Sequence, residues 1–291
     1  IFIEDSVDIW IEDSIIMDNS PDHPEIFADS DGLGSIPGMF HLTDSQVWSN
    51  RTNGDGYAIE LVDADGEIDG LVVNGENNGI YWEGRNLVSN SVTSIISDLS
   101  LSNDNGTACL ILKNHRYIVG SGLELTESCS GLFYVDSSNA NFSSSSFSNS
   151  VYVSNSSNLR LRTPDLSRVD LNSAIIDSQS KIQLAFDMQI WVLNNRSNGV
   201  PDAYVNVTFS DFDTSFTQRT NEIGTLTADD FIAREWTFSG ASVWNSVNVS
   251  CSYDGVVNYT EFDFDSNKIE NCILPLDNQP PYLIWDTPID E

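Results

Sequence analysis

Three stretches decide the fold: Ala108-Cys109-Leu110-Ile111-Leu112, Gly131-Leu132-Phe133-Tyr134-Val135 and Val151-Tyr152-Val153. Each is a short apolar run, closed off by Asn, Asp, Gly or Ser. The same texture recurs upstream in Tyr57-Ala58-Ile59-Glu60-Leu61 and Gly79-Ile80-Tyr81-Trp82. The runs start roughly 20–30 residues apart, a spacing that belongs to stacked structural units. Weaker strand pieces fill the gaps, among them Tyr117-Ile118-Val119, Leu123-Glu124-Leu125 and Leu159-Arg160-Leu161. No long segment carries apolar residues at i, i+3, i+4 and i+7, so helices are not expected.

A unit of three short strands cannot bury its own apolar side. A stack can, because each unit lays the same side chains over those of the next. Alternation along each strand sends one set inward and the other outward. Polar corners such as Asn103-Asp104-Asn105-Gly106 tolerate left-handed backbone turns. Upstream, Ser6-Val7-Asp8-Ile9-Trp10-Ile11 alternates in the same way, and the Pro- and Gly-bearing span 21–38 reads as a loop leaving the stack. No Leu frame repeats, which excludes leucine-rich repeats.

From about residue 187 the texture changes. Gln189-Ile190-Trp191-Val192-Leu193 reads as a strand. Asn198-Gly199-Val200-Pro201 then leads into the alternating Tyr204-Val205-Asn206-Val207-Thr208-Phe209, and Thr220-Asn221-Glu222-Ile223-Gly224 forms a second turn. Residues 244–252 and 256–264 read as later strands. The final segment, with Pro280-Pro281 and Tyr282-Leu283-Ile284-Trp285, reads as a linker entering a further domain. The start, Ile1-Phe2-Ile3-Glu4-Asp5, lacks Met and a basic segment, as expected of a mature end or a piece of something longer.

On these features residues 1–186 resemble the right-handed parallel β-helix repeat proteins of the broad pectate-lyase-like superfamily. Residues 187–277 resemble the small transthyretin-like or carboxypeptidase-regulatory-like β-sandwiches, with an immunoglobulin-like sandwich as the competing reading. Residues 278–291 form the linker. The expected fold class is all-β: a right-handed parallel β-helix followed by a β-sandwich. The resemblance implies two enzyme types: β-helix lyases, which use Lys or Arg beside calcium-binding carboxylates, and β-helix hydrolases, which use grouped Asp.

Charge narrows the function. Asp and Glu number 44 against 12 Lys and Arg, a net charge of −32. Phosphate backbones and anionic membranes repel such a surface, so nucleic acid is not an expected partner. No apolar run approaches the roughly 18 residues of a membrane span. A hydrated, acidic surface suits an extracellular or cell-surface protein in salt water. The four cysteines, Cys109, Cys129, Cys251 and Cys272, allow three pairings. Local pairing, Cys109 with Cys129 and Cys251 with Cys272, is the simplest and suits an oxidising compartment. Asn-x-Ser/Thr sequons at Asn50, Asn105, Asn141, Asn155, Asn195, Asn206, Asn248 and Asn258 permit glycosylation of an exported chain.

Candidate sites are few. Asp63, Asp65 and Asp69 surround Gly66 and are candidate calcium ligands, although an EF-hand's Glu is replaced by Asn74. Asp29 with Asp31, and Glu261 with Asp263 and Asp265, are further acidic groups. Arg160 and Arg162 flank Leu161 and share an outward face; with Arg168 they form a candidate grip on an acidic sugar. Lys113 and Arg116 around His115 make a second basic island. Trp82 is the candidate exposed aromatic for stacking on a sugar. No Gly-x-Ser-x-Gly elbow, phosphate loop or His-Glu-x-x-His motif occurs, and no catalytic residues are expected. Three functions follow. One is a structural or adhesive scaffold that presents a surface to glycans or neighbouring subunits. The second is a secreted polysaccharide lyase or glycoside hydrolase. The third is a subunit of an extracellular filament or surface layer.

Overall fold

The structure is a computed structural model. It describes residues 1–276 except 5–7, 19–22, 30–38, 50–55, 76–77, 86–92, 104–106, 127–130, 148–149, 166, 170, 210–214 and 244–245. The regular structure described is all β. Among the described residues no helix is long and apolar enough to cross a membrane.

The strands come in successive circuits. The first three are β1 (Phe2–Glu4), β2 (Asp8–Glu12), β3 (Ile15–Asp18); β4 (Ile26–Asp29), β5 (Met39–Thr43), β6 (Gln46–Ser49); and β7 (Tyr57–Val62), β8 (Asp65–Asp69), β9 (Val72–Gly75). Then follow β10 (Asn78–Glu83), β11 (Ser94–Ser97), β12 (Ser100–Asn103); β13 (Ala108–Lys113), β14 (Ile118–Ser121), β15 (Glu124–Leu125); and β16 (Leu132–Asp136), β17 (Asn139–Ser143), β18 (Ser146–Phe147). The last circuits are β19 (Val151–Ser154) with β20 (Asn158–Arg162), and β21 (Ile175–Ile176) with β22 (Lys181–Asn194). The chain visits three sheets in rotation. Sheet A runs β1-β4-β7-β10-β13-β16-β19-β21, sheet C runs β3-β6-β9-β12-β15-β18, and sheet B begins β2-β5-β8-β11-β14-β17-β20-β22. Neighbours along these runs are parallel, for example Ile80 beside Leu110 and Phe133 beside Val151.

Alternation puts one side-chain set inside each circuit. Ala28, Leu61, Trp82, Leu112, Val135 and Val153 are stacked in register on sheet A and fully buried. Leu42, Ile68 and Ile96 do the same on sheet B. Fully burying such a side chain contributes about 1.5–3 kcal/mol, so the stack itself is the main source of stability.

The corners explain why the composition is rich in Asp, Asn, Ser and Gly. At the turn from sheet B to sheet C, Asp13, Asp44, Gly70, Asp98, Gly122 and Ser144 all adopt positive φ, as does Thr163 after β20. Short polar side chains tolerate that conformation by bonding locally. At the turn from A to B a hydroxyl ladder runs from circuit to circuit. The backbone N–H groups of His115, Ser138 and Ser157 donate to the Oγ atoms of Ser138, Ser157 and Ser180. The span 21–38, expected as a loop, contains strand β4, whose Ile26 and Ala28 are buried. Its two buried residues sit at alternate positions and join the inner rows of sheet A.

The chain divides into two compact units, residues 1–185 with 234–242 and residues 186–233 with 243–291. The boundary falls inside β22 and inside β25 (Thr225–Thr237). The remaining strands are β23 (Tyr204–Phe209), β24 (Ser215–Arg219), β26 (Gly240–Val243), β27 (Ser246–Tyr253), β28 (Val256–Asp263) and β29 (Lys268–Leu274). In the second unit β24-β23-β27-β28 form an antiparallel sheet, and β29 runs parallel to Met188–Asn194 of β22. Phe209 packs on Phe231 and Phe264, with ring centroids 5.6 and 6.2 Å away. The Cys251–Cys272 disulfide ties β27 to β29. Gly199 and Gly224 lie back to back: a Cβ on Gly224 would fall 2.4 Å from the Val200 nitrogen, and its φ is +80°. The two turns read from the sequence therefore meet in space.

Candidate functional site

The outward row of sheet A brings the most chemistry together. The local pattern is Ile80-Tyr81-Trp82-Glu83, Leu110-Ile111-Leu112-Lys113, Phe133-Tyr134-Val135-Asp136 and Val151-Tyr152-Val153-Ser154. In each, the first and third residues are buried in the stack. The second and fourth must then face the other way. Parallel register aligns them into two rows, Tyr81-Ile111-Tyr134-Tyr152 and Glu83-Lys113-Asp136-Ser154.

The polar heads are pinned to one another. Tyr81 OH donates to Glu83 Oε2 at 2.5 Å, and Asn114 Nδ2 donates to Oε1 at 2.7 Å. Lys113 Nζ lies 3.0 Å from Glu83 Oε1 and 3.3 Å from Tyr81 OH. One circuit on, Ser154 Oγ and Asn155 Nδ2 donate to Asp136 Oδ1, and Tyr134 OH bonds Ser154 Oγ at 3.0 Å. The Tyr134 and Tyr152 rings meet at 4.9 Å, and Tyr57 meets Tyr81 at 5.4 Å. Partial burial, then the bond to the Glu83 carboxylate, pushes the Tyr81 hydroxyl up to about 12. Burial raises the Glu83 carboxyl, but the bonds from Tyr81 and Lys113 outweigh it and hold the group below its usual range. The bond to Glu83 raises Lys113. Tyr81 therefore stays protonated near neutrality and is a hydrogen-bond donor, not a base. The row offers half-exposed rings beside oriented donors and acceptors, a surface suited to stacking and hydroxyl recognition.

The residues singled out from the sequence fall differently. Trp82 is not an exposed platform: it is fully buried, and its Nε1 donates to the Ala64 carbonyl at 2.6 Å. Its parity within β10 faces the stack, and Tyr81 takes the outer position. Lys113, His115 and Arg116 do not form one island. Lys113 joins Glu83, His115 is buried at the corner, and Arg116 lies over the Tyr117 ring. Arg160 and Arg162 do share the outward side of β20, beside Asn141 and Ser143. Arg168 lies beyond β20 and pairs with Glu124 at 3.1 Å.

Asp63, Asp65 and Asp69 are not gathered around one ion. Asp63 occupies a positive-φ corner, and Asp65 is buried against Ser94. Asp69 is four residues further along an extended strand, roughly 13 Å away at 3.3 Å per residue. Among the described residues no group of three or more His, Cys, Asp or Glu is arranged to hold a metal. Asp31 lies outside the described residues. Glu261 accepts from Ser246, whereas Asp265 pairs with Lys268, so that acidic group is also divided.

Cys251 and Cys272 are joined; Cys109 is disulfide-bonded, and Cys129 lies outside the described residues. Of the sequons, Asn50 and Asn105 lie outside them too. Asn141, Asn155, Asn195 and Asn248 are exposed. Asn206 is half-buried and accepts from Thr217, and half-buried Asn258 donates to the Ile273 carbonyl. The sequence reading passed over Tyr81, Glu83, Tyr134, Asp136 and Tyr152. Aligning the four quartets by circuit was the signal that would have found them.

No protein-family model matches this chain, and no curated protein matches it either.

Proposed function

We propose that the chain is a secreted or cell-surface scaffold whose sheet A holds a glycan chain along its ring row. In this reading the first unit is a right-handed parallel β-helix and the second a transthyretin-like β-sandwich. Support for the hand comes from a general rule: crossovers between parallel strands of one sheet are right-handed in nearly all proteins. Support for export comes from the Cys251–Cys272 disulfide and the net charge of −32. The observation that carries the ligand is the in-register row Tyr81-Ile111-Tyr134-Tyr152 with its polar neighbours. Sugar rings stack on such faces, and their hydroxyls bond to partly exposed side chains like Lys113 and Glu83.

Affinity electrophoresis through gels loaded with soluble neutral polysaccharides or with a polyuronate tests this. Retardation in at least one neutral gel is expected, with a several-fold loss of affinity in the double variant Tyr134→Ala/Tyr152→Ala. Unretarded migration in every gel, or retardation that the double variant leaves intact, overturns the reading. Release of unsaturated sugars from the polyuronate would replace the scaffold with a lyase.

A further inference from the structure

Where sheet A hands over to sheet B, side chains from three circuits meet away from solvent. Asp65 opens β8, Ser94 opens β11, and His115 lies between β13 and β14; all three are buried. Ser94 Oγ lies 3.4 Å from Asp65 Oδ1 and 3.2 Å from His115 Nδ1. His115 Nε2 lies 3.2 Å from the Trp82 carbonyl oxygen. Gly84 closes the space, since a Cβ there would fall 2.7 Å from His115 Nδ1 and 3.0 Å from Asp65 Oδ1. The charged groups facing the cluster are Asp63 and Arg85 beside Asp65, and Glu83 beside His115. Glu83 is itself paired with Lys113.

The hydrogens can be counted. A carbonyl oxygen only accepts, so Nε2 carries a hydrogen. With a carboxylate and a neutral imidazole, Oδ1 and Nδ1 then compete for the single hydroxyl hydrogen of Ser94. One more proton removes the conflict. A protonated Asp65 donates to Ser94, which donates to Nδ1; alternatively Nδ1–H donates to Ser94, which donates to the carboxylate. Both forms complete all three bonds with no net charge on the cluster.

We propose that Asp65, Ser94 and His115 take up one proton in common on acidification, making this corner a shared, pH-responsive proton site. The directions agree. Burial holds the Asp65 carboxyl above its usual range against the opposing bond from Ser94. Burial also drives His115 down to about 4. A raised carboxyl contributes stability below its unfolded value and loses it as pH rises through its folded value. A lowered imidazole contributes above about 6.5 and loses its contribution as pH falls toward its folded value. Once the shared proton is bound, the native chain matches the one proton held by the unfolded histidine. Further acid then costs nothing until the unfolded Asp65 takes up a proton of its own, at about pH 4.

The test is NMR of the intact chain from pH 8 to 4, following the Asp65 carboxyl carbon and the His115 ring nitrogens, the latter assigned with His115→Gln. A common titration midpoint for both residues is expected. Ser94→Ala should separate the two midpoints. Asp65→Asn supplies a permanent N–H to Ser94, so its His115 signals should lose the common step. Its unfolding constant in urea should then rise by up to about tenfold per pH unit lost between pH 6 and 4, more steeply than in the parent. Separate midpoints in the parent chain overturn the proposal, and this reading does not depend on either variant folding. An unchanged His115 profile in a folded Asp65→Asn chain also overturns it.

Discussion

Replacing Trp82 by Phe separates a core residue from a ligand platform. The indole is fully buried, stacked in its row between Leu61 and Leu112. Phe keeps a ring but removes the N–H that lies 2.6 Å from the Ala64 carbonyl. Leaving that buried acceptor unmet costs about 1–3 kcal/mol. The smaller ring leaves unfilled volume, worth roughly a further 1 kcal/mol by analogy with other large-to-small core changes. The expected loss is therefore about 2–4 kcal/mol, read from urea unfolding followed by far-UV circular dichroism with an unchanged slope. Any retardation in polysaccharide gels should persist, because Trp82 faces away from the Tyr81 row. A loss below about 1 kcal/mol, together with abolished retardation, would show that the indole serves a ligand and that the inward parity assigned to β10 is wrong.

Two other outcomes follow from particular contacts. Cys251→Ser/Cys272→Ser opens a loop of sequence separation 21 and should destabilise the second unit by about 3 kcal/mol, measured by urea unfolding; no change would mean that its sheets hold together without the link. Tyr81 should ionise near pH 12, later than a free tyrosine, in the 295 nm difference between the parent and Tyr81→Phe. Because its folded value is raised, its contribution to stability is intact below about pH 10 and fades as pH climbs toward 12; ionisation near 10 would refute the partial burial of the hydroxyl together with its bond to Glu83.

Much of the first unit was legible because its forces are local. Val151-Tyr152-Val153 announces a strand with two faces, and the Asp, Asn, Ser and Gly between runs announce corners that need positive φ. The span 21–38 was misread because Pro and Gly at its ends outweighed a strand of four residues whose only cue is the burial of Ile26 and Ala28. Asp63, Asp65 and Asp69 are close in sequence but do not converge in the structure, for a different reason. Nearness in sequence is distance along an extended strand, where carboxylates four positions apart stand far from one another.

By itself the sequence determined the repeating alternation, the polar corners and the change of texture near residue 187, because each depends on neighbours only a few positions away. Tertiary structure decided that the Tyr81 and Glu83 side of β10 turns outward, because only the stack buries Ile80 and Trp82. It also decided that Asp65, Ser94 and His115, drawn from three circuits, share one corner: residues far apart in the chain become neighbours only when the circuits stack.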